Sequence, residues 1–207
     1  MKLIGITGGV GAGKSQVLIF LASHCNCRIL QADDVGNEVK LPGQECYGQL
    51  VKLLGEDVLE ADGRIDKGKM AARIFVDSKL LAEVNAIIHP AVKRYIVKEV
   101  EKEKKAGRAD FFFLEAALLI EEGYGQIVDE LWYIYADEEI RRRRLKESRG
   151  YTDEKITRIF ASQLPDEEFR RHCARVIENN GDLRETCLQL EKGLESNRSG
   201  RPALEKA

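Results

Sequence analysis

Leu3-Ile4-Gly5-Ile6-Thr7, running into Gly8-Gly9-Val10-Gly11-Ala12-Gly13-Lys14-Ser15, decides the fold class of this 207-residue chain. The first half is apolar and partly β-branched, the pattern of a strand buried on both faces in a parallel sheet. The second half is G-x-x-x-x-G-K-S, and beyond it Val17, Leu18, Leu21 and Ala22 recur at helical spacing. The motif thus stands between a strand and the first turn of a helix, the context it needs to act as a P-loop. Glycines permit left-handed and closely approached backbone, so successive N–H groups point inward and, with the helix N-terminus, form a concave site for phosphate oxygens. On this reading Gly9, Gly11, Ala12, Gly13, Lys14, Ser15 and Gln16 hold a nucleotide. Lys14 reaches its β- and γ-phosphates, and the Ser15 hydroxyl ligates Mg²⁺. A dinucleotide fingerprint opening at Gly9-x-Gly11 has an acid available in Asp33 but meets Lys14 where its third glycine belongs. A plain βα turn explains neither Lys14 nor Ser15.

Length and composition set bounds on the rest. The chain suffices for one substantial α/β domain with elaborations. With 43% hydrophobic and 33% charged residues it is an ordinary globular composition, and a formal net charge of -2 supplies no bulk attraction to nucleic acid or anionic membrane. The longest apolar stretch, Phe111 to Ile120, is interrupted by Glu115 and is too short to span a bilayer. Five scattered cysteines and a start without a signal-peptide core imply reduced thiols and a cytoplasmic protein. Cys25-x-Cys27 lacks a second pair at zinc-ligand spacing, and the three histidines complete no obvious set, so core or surface cysteines are favoured over a metal site.

Along the chain, Arg28 to Ala32 reads as a second strand. Ligands of open parallel sheets sit outside the carboxyl ends of strands, which makes Asp33 the first candidate to orient a phosphate acceptor. Capping of the following helix by Asp33 or Asp34 is the alternative. Asp33-Asp34-Val35-Gly36 also spells D-x-x-G, but no N-K-x-D segment exists to specify guanine. Residues 42–108 read as mainly helical: a helix ending at Gly55, one capped by Asp66, one capped by Asp77 or Ser78 and ending before His89-Pro90, and a long one opened by Pro90 and running to Ala106. A third strand, Phe111 to Leu114, delivers Glu115 to the same edge of the sheet. There it holds a Mg²⁺-bound water or orients the acceptor, or simply ends a strand at the surface. A fourth strand, Leu131 to Tyr135, precedes a helix capped by Asp137 that carries Arg141-Arg142-Arg143-Arg144. Four consecutive arginines cannot share one helix face, so most face solvent by default, with one or two able to reach phosphates. That run alone does not make a nucleic-acid surface. Gly150 ends this helix and Thr152 caps the next, a pair suited to a lid over the nucleotide. A fifth strand and turn span Val176 to Gly181, Asp182 to Leu194 form a last helix, and the composition beyond suggests disorder.

Several further residues together make the chain resemble the dephospho-CoA kinase family from the P-loop to about Leu194. They are Ala32-Asp33, Pro42-Gly43, Asp62-Gly63, Ile65-Asp66, Asn85 with His89-Pro90, Leu118-Leu119 with Glu121, Arg144-Leu145, Gln163, and Asn179 with Gly181. The resemblance implies a three-layer α/β/α P-loop fold with a five-stranded parallel sheet. It implies a core of residues 1–36, 108–137 and 174–195, a helical CoA region at 37–107, a lid at 138–173 and a disordered tail at 196–207. It further implies ATP- and Mg²⁺-dependent phosphorylation of the ribose 3′-hydroxyl of dephospho-CoA by a monomer or weak homo-oligomer. Carried over by position, Asp33 is the catalytic carboxylate, with Lys14, Glu115 and Arg144 beside it in catalysis. Arg144 is also the lid arginine over the nucleotide, Asn179 and Gly181 lie near adenine, and His89 and Leu118 join Asp33 on the acceptor. The chain departs from the family pattern at Gln31 (usually Asp), Asn37 (commonly basic), Ala117 (Pro), Arg141 (Gln), Ser148 (Arg), Phe169 (Lys) and Ala174 (Asp). A kinase of another nucleoside-like acceptor and a non-catalytic ATP-binding relative therefore stay open as alternatives.

Overall fold

The structure, a computed structural model, describes residues 1–198. Among the described residues, Met1–Ile29 and the chain from Gly107 to residue 198 pack as one unit, and Leu30–Ala106 as another. The first is built on a five-stranded parallel sheet, β1 (Lys2–Thr7), β2 (Cys27–Gln31), β3 (Phe111–Glu115), β4 (Glu130–Tyr135) and β5 (Arg175–Glu178), in the order β2-β3-β1-β4-β5. β1 is central, with Ile6 in register with Glu115 on one side and Trp132 on the other. The connections leave β1 in opposite directions, which places the P-loop at the point where strand order reverses and a crevice opens.

Both faces of the sheet are buried, as the runs of apolar residues in its strands require. On one face Ile4, Ile6, Phe113, Trp132 and Ile134 pack under α1 (Lys14–His24) and α9 (Leu183–Arg198). Gly193 of α9 lets that helix approach the tryptophan, because a Cβ there would stand 2.7 Å from Trp132 Cη2. Gly193→Ala gains roughly 1 kcal/mol of helix propensity but overpacks the core at a cost of roughly 1–3 kcal/mol. The net expectation is a lower urea midpoint, read through fluorescence of Trp132, the sole tryptophan. On the other face Tyr133 stacks on Phe169 with centroids 4.6 Å apart.

After β4 come α6 (Glu138–Arg149), α7 (Asp153–Ala161) and α8 (Asp166–His172). Gly150 ends α6 at φ 60°, and Thr152 caps α7 by accepting from Lys155 N–H at 3.3 Å, as the sequence suggests. Asp137 does not cap α6. Its Oδ1 accepts from the Tyr135 hydroxyl at 2.7 Å, and its own N–H donates to Asn180 Oδ1. Nor are there only two helices between β4 and β5: α8 is a third, held by the Phe169 stack that local periodicity cannot reveal. The last helix runs past Leu194 to Arg198, because Ser196 accepts from Arg175 and Asn197 donates to Glu130 across the unit. The rest of the expected tail, 199–207, lies outside the described residues.

The helical unit holds α2 (Ala32–Glu38), α3 (Tyr47–Leu54), α4 (Lys67–Val76) and α5 (Ser78–Ala106). Asp66 caps α4 through Lys69 N–H, and Asp77 accepts from Lys79 and Leu80 N–H ahead of α5. The two helices expected on either side of His89-Pro90 are one, with Pro90 inside. Proline removes one ladder hydrogen bond, but the buried stripe of Val84, Ala91, Val92, Ile96 and Val100 continues through it. Packing of α2, α3 and α4 on α5 holds the helix together where propensity alone breaks it.

Candidate functional site

The P-loop arches from the end of β1 to the start of α1. Gly8 and Gly13 have φ of 145° and 93°, and a Cβ on Gly8 would stand 2.4 Å from Ile134 O. Only glycine fits there. α1 opens without a side-chain cap and without an acidic residue in its first turn, so its positive end is left to an incoming anion. Ser15 and Gln16 are exposed in that turn. Lys14 folds back over the loop: Nζ donates to Gly8 O at 2.8 Å and stands 3.6 Å from Glu115 Oε1. Glu115 is not a surface strand ending. It is 9% exposed and neutralises the lysine.

The arginine run divides as helix geometry demands. Arg142 is drawn outward to Glu138 and Asp153, and Arg143 is exposed. Arg141 and Arg144, three residues apart, turn to the P-loop. Arg144 donates to Asn179 O at 2.9 Å and to Ala12 O at 3.5 Å. Asn179, 5% exposed, donates to Ala12 O at 2.7 Å and accepts from the Thr186 hydroxyl, so the turn after β5 is tied to the loop from two sides. Arg141 lies against Gly9, its guanidinium 4.1 Å above the Phe160 ring and hydrogen-bonded to Gln163, which also accepts from Val10 N–H. Its Nε is buried without a partner. Burial pushes both guanidinium groups below their ordinary range, with Arg143 adding to the effect at Arg144. The run itself leaves open which arginines turn inward; the resemblance names Arg144, and no single residue signals Arg141. The signal is its i, i+3 spacing to Arg144, readable only once the helix frame is known. Two cations aimed at one glycine loop are a device for gathering polyphosphate charge. Arg144→Ala should weaken nucleotide binding about tenfold in a calorimetric titration, whereas Arg143→Ala should leave it within about twofold.

One unit thus brings together Gly9 to Gln16, Glu115, Arg144, Asn179 and the exposed Gly181. Leu118, 44% exposed, follows β3 in the same unit, while its neighbour Leu119 is fully buried. Asp33 and His89 belong to the helical unit. Asp33 is exposed in the first turn of α2, whose N-cap is Gln31, so neither it nor Asp34 is the cap; His89 is half-buried within α5. All five cysteines are free, and among the described residues no three His, Cys, Asp or Glu side chains gather to hold a metal ion.

A central P-loop strand in a β2-β3-β1-β4-β5 sheet, a lysine and two arginines over the loop, and helices following β4 define a P-loop kinase. Solved structures agree: the chain superposes with a TM-score of 0.55 on shikimate kinase from Acinetobacter baumannii, covering 96% of this chain and 95% of that one at 14% identity. It superposes at 0.73 on dephospho-CoA kinase from Campylobacter jejuni, covering 97% and 99% at 19% identity. Within that class the assignment is specific: residues 2–185 match the dephospho-CoA kinase family model, and the chain belongs to that family. It is 34% identical to dephospho-CoA kinase of Geobacillus kaustophilus, over 90% of this chain and 92% of the relative. It is also 34% identical to that of Corynebacterium glutamicum, over 93% and 95%.

Proposed function

We propose that this chain transfers the γ-phosphoryl group of ATP to the ribose 3′-hydroxyl of dephospho-CoA, giving coenzyme A and ADP. The observation that carries the reading is membership of the dephospho-CoA kinase family over residues 2–185, in a chain that retains Lys14 and Ser15 at the P-loop. Gly9 to Gln16 cradle the phosphates, Arg144 covers the nucleotide, and Asn179 and Gly181 border the base. Asp33 receives the hydroxyl, with His89 and Leu118 on the acceptor. The exposed Ser15 hydroxyl in the first turn of α1 fits a Mg²⁺ ion that arrives with the triphosphate. That ion neutralises phosphate charge, and the protein's own share is positioning. Phosphoryl transfer through a loose transition state makes small demands on a base, so Asp33 orients the alcohol and takes its proton late. Lys14, Arg141 and Arg144 face the charge that spreads over the equatorial oxygens.

Among the described residues no helix is long and apolar enough to cross a membrane. Incubation with ATP, Mg²⁺ and dephospho-CoA should yield CoA and ADP in equal amounts, resolved by chromatography. Folded protein that binds ATP and forms no CoA overturns the proposal. Turnover of a different nucleoside in an acceptor panel would then redirect it, as the departures at Gln31 and Asn37 allow.

A further inference from the structure

On the outer side of the sheet unit, α1 and α9 leave an open groove of about 540 Å³ between them. From α1 comes Phe20, half-buried and stacked on His24 with ring centroids 3.8 Å apart. From α9 come the half-buried Cys187 and two leucines, Leu183 and Leu188, which are 45% and 56% exposed. Single apolar residues scattered over a surface are ordinary, but these line one groove across two helices. The groove lies along the second half of α1, whereas the phosphate loop meets its first turn.

The charges on the same stripe of α9 carry more information. Arg184 and Glu191 also line the groove and are exposed, and neither side chain makes a hydrogen bond or ion pair among the described residues. They stand seven residues apart, about two turns or roughly 10 Å, and so share one face of the helix. Arg184 is also the second residue of α9, where the positive end of the helix disfavours a cation. A charge set against its own helix, beside exposed leucines, is a local inconsistency of the kind that contact surfaces carry.

The midpoint between Arg184 and Glu191 falls between Cys187 and Leu188. Read along α9 the stripe runs cation, apolar centre, acid, and read backwards it runs acid, apolar centre, cation. Laid antiparallel on a second copy about a twofold axis at that midpoint, it sets each Arg184 opposite Glu191 of the other copy. A parallel arrangement would set like charges together. This self-complementarity selects a second copy of the chain over an unrelated protein.

We propose that the α1–α9 groove is a homodimer interface. Leu188 of each copy enters the groove of the other beside Phe20, and two Arg184–Glu191 ion pairs flank the contact. The proposal is independent of the reaction assigned above, and the dimer leaves the P-loop open because the groove lies at the other end of α1. So small a groove engages fewer residues than the roughly 20–30 a side of a standard interface. The dimer should therefore be weak, with a dissociation constant of about 10–100 µM.

The test is sedimentation equilibrium of the full chain at about 5 to 500 µM, which brackets that constant. The wild type should pass from monomer to dimer and no further, because a twofold interface closes on itself. Leu188→Glu should raise the dissociation constant about tenfold or more, and the melting temperature should hold because the side chain is exposed. Arg184→Glu and Glu191→Arg, each alone, should weaken association by about tenfold, since both pairs across the axis become like-charged. An equimolar mixture of those two variants should form a heterodimer within about threefold of wild-type affinity, because opposite charges meet again at both ends. A wild type that stays monomeric at the highest concentration overturns the proposal and leaves the groove to a different protein. Association that Leu188→Glu does not weaken lies on another face and overturns it too. A mixture that associates no better than either variant alone rules out the antiparallel pairing.

Discussion

Lys14→Ala is expected to lower kcat/KM for ATP by about a thousandfold, which corresponds to roughly 4 kcal/mol of transition-state stabilisation. The Lys14 side chain is only 14% exposed and its ammonium is held 2.8 Å from Gly8 O and 3.6 Å from Glu115 Oε1, so it is already oriented over the loop. A preorganised charge of this kind loses little on binding and acts where charge develops. Ground-state contact with phosphate accounts for about 1.5–3 kcal/mol of the loss, and the remainder should appear in kcat. The same substitution leaves Glu115, 9% exposed, without that ammonium, so the melting temperature should fall as well. Lys14→Ala combined with Glu115→Gln separates the two effects. Stability should recover in the double variant while activity stays low, because the missing charge at the phosphates has not been replaced. An ATP kcat/KM within about tenfold of wild type would contradict the assignment.

Asp33→Asn should leave ATP affinity within about twofold and depress kcat by about a hundredfold. The carboxylate is exposed in the first turn of α2 and makes no side-chain hydrogen bond among the described residues. Its amide isostere should fold normally and differ only in lacking a proton acceptor. A late proton transfer explains why the expected loss is moderate rather than complete. Titration of ATP into the variant and rapid-quench measurement of CoA formation check the two halves separately. Weakened ATP binding with normal turnover at saturation would falsify the role given to Asp33.

Where one short segment contains its own physical cause, the reading from residues agrees with the structure. The strand-glycine-helix order of residues 3–22 is one example, and the caps at Asp66, Asp77 and Thr152 are others, since each side chain bonds an N–H two or three residues on. Asp137 has the same residue type in the same position, yet Tyr135 and Asn180 engage it first. A cap is lost whenever a tertiary partner satisfies the same groups. Arg141 shows the matching limit at the site, because which face of α6 meets the P-loop depends on how the helix sits on the sheet.

By itself the sequence determined the phosphate loop and the parallel sheet that carries it, since glycine conformations, a lysine and continuous apolar runs act within a few residues of one another, and the ordered series from Ala32-Asp33 to Gly181 carried the family resemblance. Tertiary structure alone decided that Pro90 lies inside a single helix, that Phe169 anchors a third helix after β4, and that Arg141 turns inward beside Arg144 while Arg142 turns out. Each of those outcomes depends on a packing partner distant in sequence, and burial against such partners outweighs the propensity of one residue.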